Sequence, residues 1–391
     1  MEFNFKKGIY SLNPQSNFDF QLNRLVMWDG GDLKEVKAIG QKISSSESWK
    51  KELIALGDKA VRENRLENAI GYYRMSEFFM YDGDPDKKNY YAKASKMFYA
   101  YYQDLFENGT VERIGVPYED VKLPVLHAKA KGVRKDIILL HGGNDSYFEE
   151  FFMPMLYLAE NGFEVYLFEG PGQGGVIRIQ NKHFTYKWEE PVKGILDYFN
   201  LNDVTTIGAS LGGMLAPRAA AFEPRISRVI AWSVFPNFQD VLLNSLPANK
   251  RGIFRLCLKL KLHSLLNIAL KKAARTNEMI HWGLAHGMYA YEAKTPYEYV
   301  CKMKDYQMMN VADKITQDVF IAGASEDHFI NYTTVGTEIA ALRHARSVTF
   351  RLFTKLESAC NHCNCGNVKL TFDTFMNWIM LMKSPDRAIP K

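Results

Sequence analysis

Long apolar runs are missing from this chain. No window approaches the roughly 18 consecutive apolar residues that a membrane span requires. The opening stretch MEFNFKKGIYSLNPQSNF lacks the apolar core of a signal peptide. Cysteine is scarce, with five among 391 residues and three of them crowded at 360–365. That pattern does not resemble the disulfide framework of a secreted domain. From these absences we expect a cytoplasmic protein with no membrane partner. Charge of one sign is also in short supply. The net charge is +5, and Lys and Arg are scattered except in KLKLHSLLNIALKKAAR at 259–275. No basic stripe calls for nucleic acid. What remains is the composition of a soluble globular chain, 47% hydrophobic and 24% charged. Its length suits one large domain with additions.

Residues 1–110 carry no strand signal and are expected to form a helical domain. SWKKELIALGDKAVREN, RLENAIGYYRMSEFFMY and DKKNYYAKASKMFYAYYQDLF all place apolar residues at helical spacing. Gly83-Asp84-Pro85 separates the last two. The pattern then changes. VERIGVPY and VKLPVLHAKA read as a strand hairpin. After them, buried-type strands (DIILLHGG, FEVYLFEG, VTTIGAS, SRVIAWSVF) alternate with helical segments. Such alternation predicts a mostly parallel sheet with helices on both faces. We assign 111–236 to the first part of this α/β core and 311–391 to the second. Between them, 237–310 is helical and rich in Leu, Met and Tyr, including the run GIFRLCLKLKLHSLLNIALKKAA. A helical insertion there is expected to cap the carboxyl end of the sheet, where ligands bind in such folds.

Gly208-Ala209-Ser210-Leu211-Gly212 follows a strand and opens a helix. In that setting G-x-S-x-G is a nucleophile elbow, with Ser210 held out at the top of the sheet. The plainer alternative, a glycine-rich packing turn with an idle serine, is disfavoured by the strand–turn–helix context. A serine needs a base, and the base an orienting acid. The chain order in this architecture is serine, acid, histidine. The next strand ends in Glu326-Asp327-His328. We take Asp327 as the acid because the apolar pair Phe329-Ile330 follows it; Glu326 is the alternative. His362, in the loop before the last helix, is in the place required of the base. His328 directly follows the acid and is expected to point elsewhere, and His344 to be solvated on a helix. An oxyanion needs two backbone N–H donors. Leu211, after the nucleophile, is one. Gly143, in His141-Gly142-Gly143-Asn144, is the other, with His141 buttressing that loop.

Two further motifs invite other chemistry. EGPGQGG at 169–175 lacks the Lys-Ser/Thr ending of a phosphate loop and does not open a clean helix. It is expected to floor the active site. Cys360, His362, Cys363 and Cys365 are too cramped for tetrahedral ligation and have no second ligand pair. No metal and no cofactor are expected. A loop cysteine beside the histidine is a candidate oxidation site.

Taken together, HGGNDSYFEEF, FEGPGQGG, IGASLGG, GASEDHFI and SACNHC resemble the α/β-hydrolase superfamily over about 111–391. The helical N-terminal domain and the His-Cys pair after the last strand resemble a narrower group. It includes carbon–carbon bond hydrolases of the 2,6-dihydroxypseudooxynicotine hydrolase type, fungal polyketide-shortening hydrolases, and acylaminoacyl-peptidase-like or esterase-like proteins. The resemblance implies a triad of Ser210, Asp327 and His362. It also implies that the N-terminal helices and the cap enclose the site and support a homodimer. Helices stand where related prolyl-oligopeptidase-type enzymes have a propeller, which argues against peptide cleavage. The expected activity is a serine hydrolase acting on a small-molecule ester or amide. A carbon–carbon hydrolase using the same triad on a diketone-like substrate is the alternative, and a non-catalytic binding protein a third reading.

Overall fold

The structure, a computed structural model, describes residues 3–81, 83–244 and 246–384. Eight strands form one sheet: β1 (Val111–Tyr118), β2 (Val121–Ala128), β3 (Asp136–His141), β4 (Phe163–Phe168), β5 (Val204–Ala209), β6 (Ile226–Trp232), β7 (Asp318–Ala324) and β8 (Ser347–Phe353). Their order across the sheet is β1-β2-β4-β3-β5-β6-β7-β8. The hairpin β1–β2 is antiparallel, β2 runs antiparallel to β4, and every later pairing is parallel. The central strands read as continuous apolar runs because both faces are covered. In β3, Leu139 faces one apolar core while Ile138 and Leu140 face the other. Helices Glu189–Tyr198 and Gly212–Phe222 cover the first face, and Phe152–Glu160 and Val368–Met382 the second.

Helices from Ser16–Trp28 to Gln103–Glu107 precede the sheet. The first two, Ser16–Trp28 and Leu33–Gly40, have no counterpart in the sequence reading. Ser16–Trp28 buries Phe18, Phe20, Leu22, Asn23, Arg24, Leu25 and Val26, so it shows no amphipathic stripe. These helices build a third core around Leu22, Trp49 and Tyr72, which also takes in Tyr147 from the α/β part and Trp282 from the inserted helices. Buried ion pairs fasten the junction. Glu77 pairs with Arg178 across the junction at 2.8 Å and with Lys87 inside the N-terminal helices at 2.9 Å.

The inserted segment contains Phe238–Asn244, Ala248–Lys259, His263–Thr276, Glu278–Ala290 and Pro296–Lys302. The helical run over 252–274, undivided in the sequence, is two helices in the structure. The break is a helix-terminating turn. Lys261 takes a left-handed conformation at φ 54°, and the Leu262 N–H reaches back to the Cys257 carbonyl at 2.9 Å. Two smaller corrections follow. EGPGQGG does open a helix, the short Gly174–Arg178. His344 lies exposed in the turn after helix Val335–Ala341, not on it.

Candidate active site

β5 ends at Ala209 and helix Gly212–Phe222 begins three residues later. Ser210 sits between them at φ 58°. That left-handed conformation costs an L-residue about 1–3 kcal/mol and persists only where the surroundings enforce it. Here the Ser210 N–H is held by the Trp232 carbonyl at 3.2 Å, and the Ser210 carbonyl by the Gly213 N–H at 2.8 Å. The turn closes so tightly that a Cβ on Gly208 would lie 2.2 Å from the Gly212 carbonyl oxygen. The glycine is thus a requirement of the turn.

The structure brings Ser210, His362 and Asp327 together. His362 Nε2 lies 2.8 Å from Ser210 Oγ, and His362 Nδ1 lies 2.7 Å from Asp327 Oδ2. Asp327 Oδ1 accepts from the N–H groups of Phe329 and Ile330 at 2.9 and 3.1 Å. Both carboxylate oxygens are occupied, which fixes the face shown to the imidazole. Glu326 turns the other way. It meets Lys355 at 3.5 Å and the Cys360 thiol at 3.4 Å, half exposed. Burial pushes the His362 imidazole down, but the adjoining Asp327 charge, with Cys363, outweighs it and holds the ring well above the usual histidine range. Asp327 moves oppositely: burial raises it, the His362 charge lowers it further, and it stays below the usual carboxylate range.

The loop bearing His362 is shaped by two strained residues, of which the sequence reading passed over Asn364. Cys363 and Asn364 are both left-handed, at φ 50° and 54°. Asparagine tolerates that conformation and bonds locally. Asn364 accepts from the Trp232 indole at 3.0 Å and donates to the Ala359 carbonyl at 3.0 Å. The three loop cysteines diverge. Cys360 faces Glu326, Cys363 faces the Trp232 carbonyl at 3.5 Å, and Cys365 is buried in the N-terminal core. Burial and the Glu326 charge push the Cys360 thiol up to about 11, which leaves little thiolate.

His328 faces the same cavity as His362. Its ring packs on Phe329 and Phe20, at centroid distances of 3.8 and 5.0 Å. His141 is fully buried, contacts the Gly142 carbonyl at 2.9 Å, and is pushed down to about 4 by burial. It buttresses the loop as a neutral ring.

The loop after β3 departs from expectation at Gly143. Its N–H donates to Ser146 Oγ at 2.9 Å, so this amide is occupied in the resting site. Leu211 and Asn144 have no acceptor for their N–H groups among the described residues. Gly143 nevertheless lies against the nucleophile, since a Cβ there would be 2.7 Å from Leu211 N and 2.9 Å from Ser210 Cβ. Gln173, from the EGPGQGG loop, donates to the carbonyls of Gly142 and Gly143 at 2.9 and 3.0 Å. From the insertion, Tyr291 donates its hydroxyl to Asn144 Oδ1 at 2.6 Å, and His286 Nε2 lies 3.3 Å from the Asn144 carbonyl. Neither clamp is visible in sequence, because each joins segments far apart in the chain.

A cavity of about 440 Å³ opens onto Ser210 and His362. Leu243, Phe254, Leu270 and Trp282 of the insertion line one side. Phe20, Arg24 and Trp28 of helix Ser16–Trp28 line another, and the Phe20 ring meets the His362 ring edge-on at 5.9 Å. The N-terminal block is thus a direct wall of the cavity as well as a partner of the insertion. Its Phe78 carbonyl takes the Trp282 indole N–H at 3.0 Å.

An eight-stranded, mostly parallel sheet with a serine at a left-handed strand–helix turn defines an α/β hydrolase. A family model described as "alpha/beta hydrolase fold" matches residues 136–365, and this chain belongs to that family. It is similar to hydrolase acrC of Aspergillus aculeatus, 28% identical over 71% of each chain. It is also similar to 20-hydroxy-prefusarin hydrolase FUS2 of Gibberella moniliformis, 25% identical over 77% of this chain and 75% of the relative. In three dimensions it resembles 2,6-dihydroxy-pseudo-oxynicotine hydrolase, with TM-score 0.65 and 17% identity over 94% and 97% of the two chains. AbyA5 gives TM-score 0.65 and 16% identity over 90% of both. These likenesses carry the fold. The chain is an enzyme of the α/β-hydrolase family, and no helix among its described residues is long and apolar enough to cross a membrane.

Proposed function

We propose that this protein is a serine hydrolase that cleaves a small or medium, largely apolar ester or amide through an acyl-enzyme on Ser210. The observation that carries the reading is the unbroken chain Ser210–His362–Asp327, at 2.8 and 2.7 Å, opening on an apolar cavity. With His362 Nδ1–H donating to the Asp327 carboxylate, the Nε2 lone pair faces the Ser210 hydroxyl. His362 takes that proton as Oγ attacks the carbonyl, then returns it to the leaving group. Water reverses the sequence and releases the acid. The Leu211 N–H and the Gly143 N–H, yielded by Ser146, receive the oxyanion. Two helical walls around a cavity of about 440 Å³ favour compact substrates over long peptides.

A second reading rests on Asp145. Its carboxyl lines the cavity and meets Arg24 at 3.9 Å. Burial raises it above the usual carboxylate range, a shift that Arg24 only partly offsets. A carbon leaving group must be protonated, and a carboxyl beside the cavity whose proton affinity is raised is placed to supply that proton. A panel of p-nitrophenyl esters, aminoacyl anilides and aryl β-diketones separates the two readings. Labelling of Ser210 by a fluorophosphonate, lost in Ser210→Ala, is expected under both. Labelling that persists in Ser210→Ala would sink both.

A further inference from the structure

The one concentration of basic residues in the sequence takes no part in the active site. No Asp or Glu occurs between Asp240 and Glu278, and this acid-free stretch contains helices Ala248–Lys259 and His263–Thr276. Each helix has an inner and an outer face. Phe254, Cys257, Leu258, Leu266 and Leu270 turn inward to the core, and Phe254 and Leu270 reach the catalytic cavity. The outer face is apolar as well. Ile253, Leu256, Leu260, Leu265 and Ile268 are between 54% and 67% exposed. Spacings of three, four and seven residues place Ile253, Leu256 and Leu260 on one stripe, and Leu265, Ile268 and Lys272 on another.

Cations frame these stripes. Lys250, Lys259, Lys261, Lys271, Lys272 and Arg275 are exposed and form no ion pair among the described residues. The nearest acids in sequence are already engaged: Asp240 by Arg255 at 2.8 Å, and Glu278 by Ser46 and Tyr81. An apolar strip between unpaired cations matches a surface that is itself apolar beneath a layer of negative charge. We propose that the outer face of 248–276 docks on a bilayer containing anionic phospholipid. The leucines and isoleucines enter the headgroup–acyl boundary, and the lysines and Arg275 meet the phosphates. A second copy of this chain fits the face poorly, because a two-fold contact would set like charges against one another. This mode of contact needs no spanning helix. It departs from the expectation, drawn from the lack of long apolar runs, that membranes play no part.

The test is flotation of the full chain with phosphatidylcholine vesicles, with and without 30% phosphatidylserine. Binding to the serine-containing vesicles should be about tenfold tighter or more, and should collapse in high salt. Leu256→Ser with Ile268→Ser, and separately Lys259→Glu with Lys272→Glu, should each weaken it by about tenfold or more. All four side chains are exposed, so thermal melting should match the parent. The proposal is overturned by absence of binding, by equal binding to both vesicle types, or by indifference to the apolar pair. It is also overturned if light scattering shows that the apolar pair breaks a dimer while vesicle binding is unchanged. Binding to polyglutamate as tight as to vesicles would assign the face to an acidic protein instead.

Discussion

Arg24, on the first helix, holds Glu150 of the α/β core in a two-pronged ion pair, Nε to Oε2 at 2.8 Å and Nη2 to Oε1 at 2.7 Å. Both side chains are almost fully buried, and Arg24 lines the catalytic cavity. Removing one partner of such a pair strands the other charge at a cost of about 3–5 kcal/mol. Arg24→Ala should lose stability on that scale in urea unfolding and detach the wall that carries Phe20. Replacing both partners, as Arg24→Met with Glu150→Leu, should recover most of the stability. A double variant no more stable than Arg24→Ala would show that the pair does something other than neutralise buried charge.

Among the histidines, only His362 meets Ser210. His362→Ala should lower kcat by several orders of magnitude, nearly as far as Ser210→Ala. His344→Ala, an exposed turn position, should leave kcat within about twofold. His328→Ala removes packing from the cavity wall and should act mainly on KM. Steady-state kinetics on one ester substrate decides this, and a large kcat loss in His328→Ala would move the base.

The pH profile follows from the sign of the His362 shift. Asp327 holds the imidazole above its ordinary value, and only the neutral ring can accept the Ser210 proton. Activity should therefore be low in acid and rise with pH through a midpoint above about 6.5, the ordinary histidine value. In Asp327→Asn the raising charge is gone while burial remains. Its residual activity should fall to about 10⁻⁴ of the parent, with the midpoint moved toward acid. A parent midpoint well below that of free histidine would contradict the ion pair.

Ser146 occupies the Gly143 N–H at rest. If the oxyanion takes over that amide, Ser146→Ala should keep kcat/KM within about threefold, because the hydroxyl is displaced in the reaction. Gly143→Ala should cost about a hundredfold or more, since its Cβ would press on Leu211 N and the Ala209 carbonyl, both 2.7 Å away. A hundredfold loss in Ser146→Ala would place the second donor elsewhere.

Strand and helix order was legible because its signals are local: apolar runs of strand length, helical periodicity and glycine at turns. The elbow was legible for the same reason, since Gly208, Ser210 and Gly212 meet within one turn of chain. Helix Ser16–Trp28 escaped because a helix buried on nearly every side has no polar face to give it a period. The break at Lys261 escaped because a lysine in a left-handed turn bears no composition mark.

By itself the sequence determined which residue types stand where a strand passes into a helix, and in what order serine, acid and histidine follow. Those features depend on neighbours a few residues away. The tertiary structure alone decided that Ser146 holds the Gly143 amide and that Phe20, Arg24 and Trp28 of the first helix wall the cavity, and it turned Asp327 rather than the alternative Glu326 toward His362. The reason is distance along the chain. Ser210 and His362 are 152 residues apart, and Arg24 and Glu150 are 126. Between the adjacent carboxyls Glu326 and Asp327, the apolar pair Phe329-Ile330 favoured Asp327 in the sequence but left Glu326 open. Packing closes that choice by turning Asp327 toward the buried imidazole and Glu326 toward Lys355 and water.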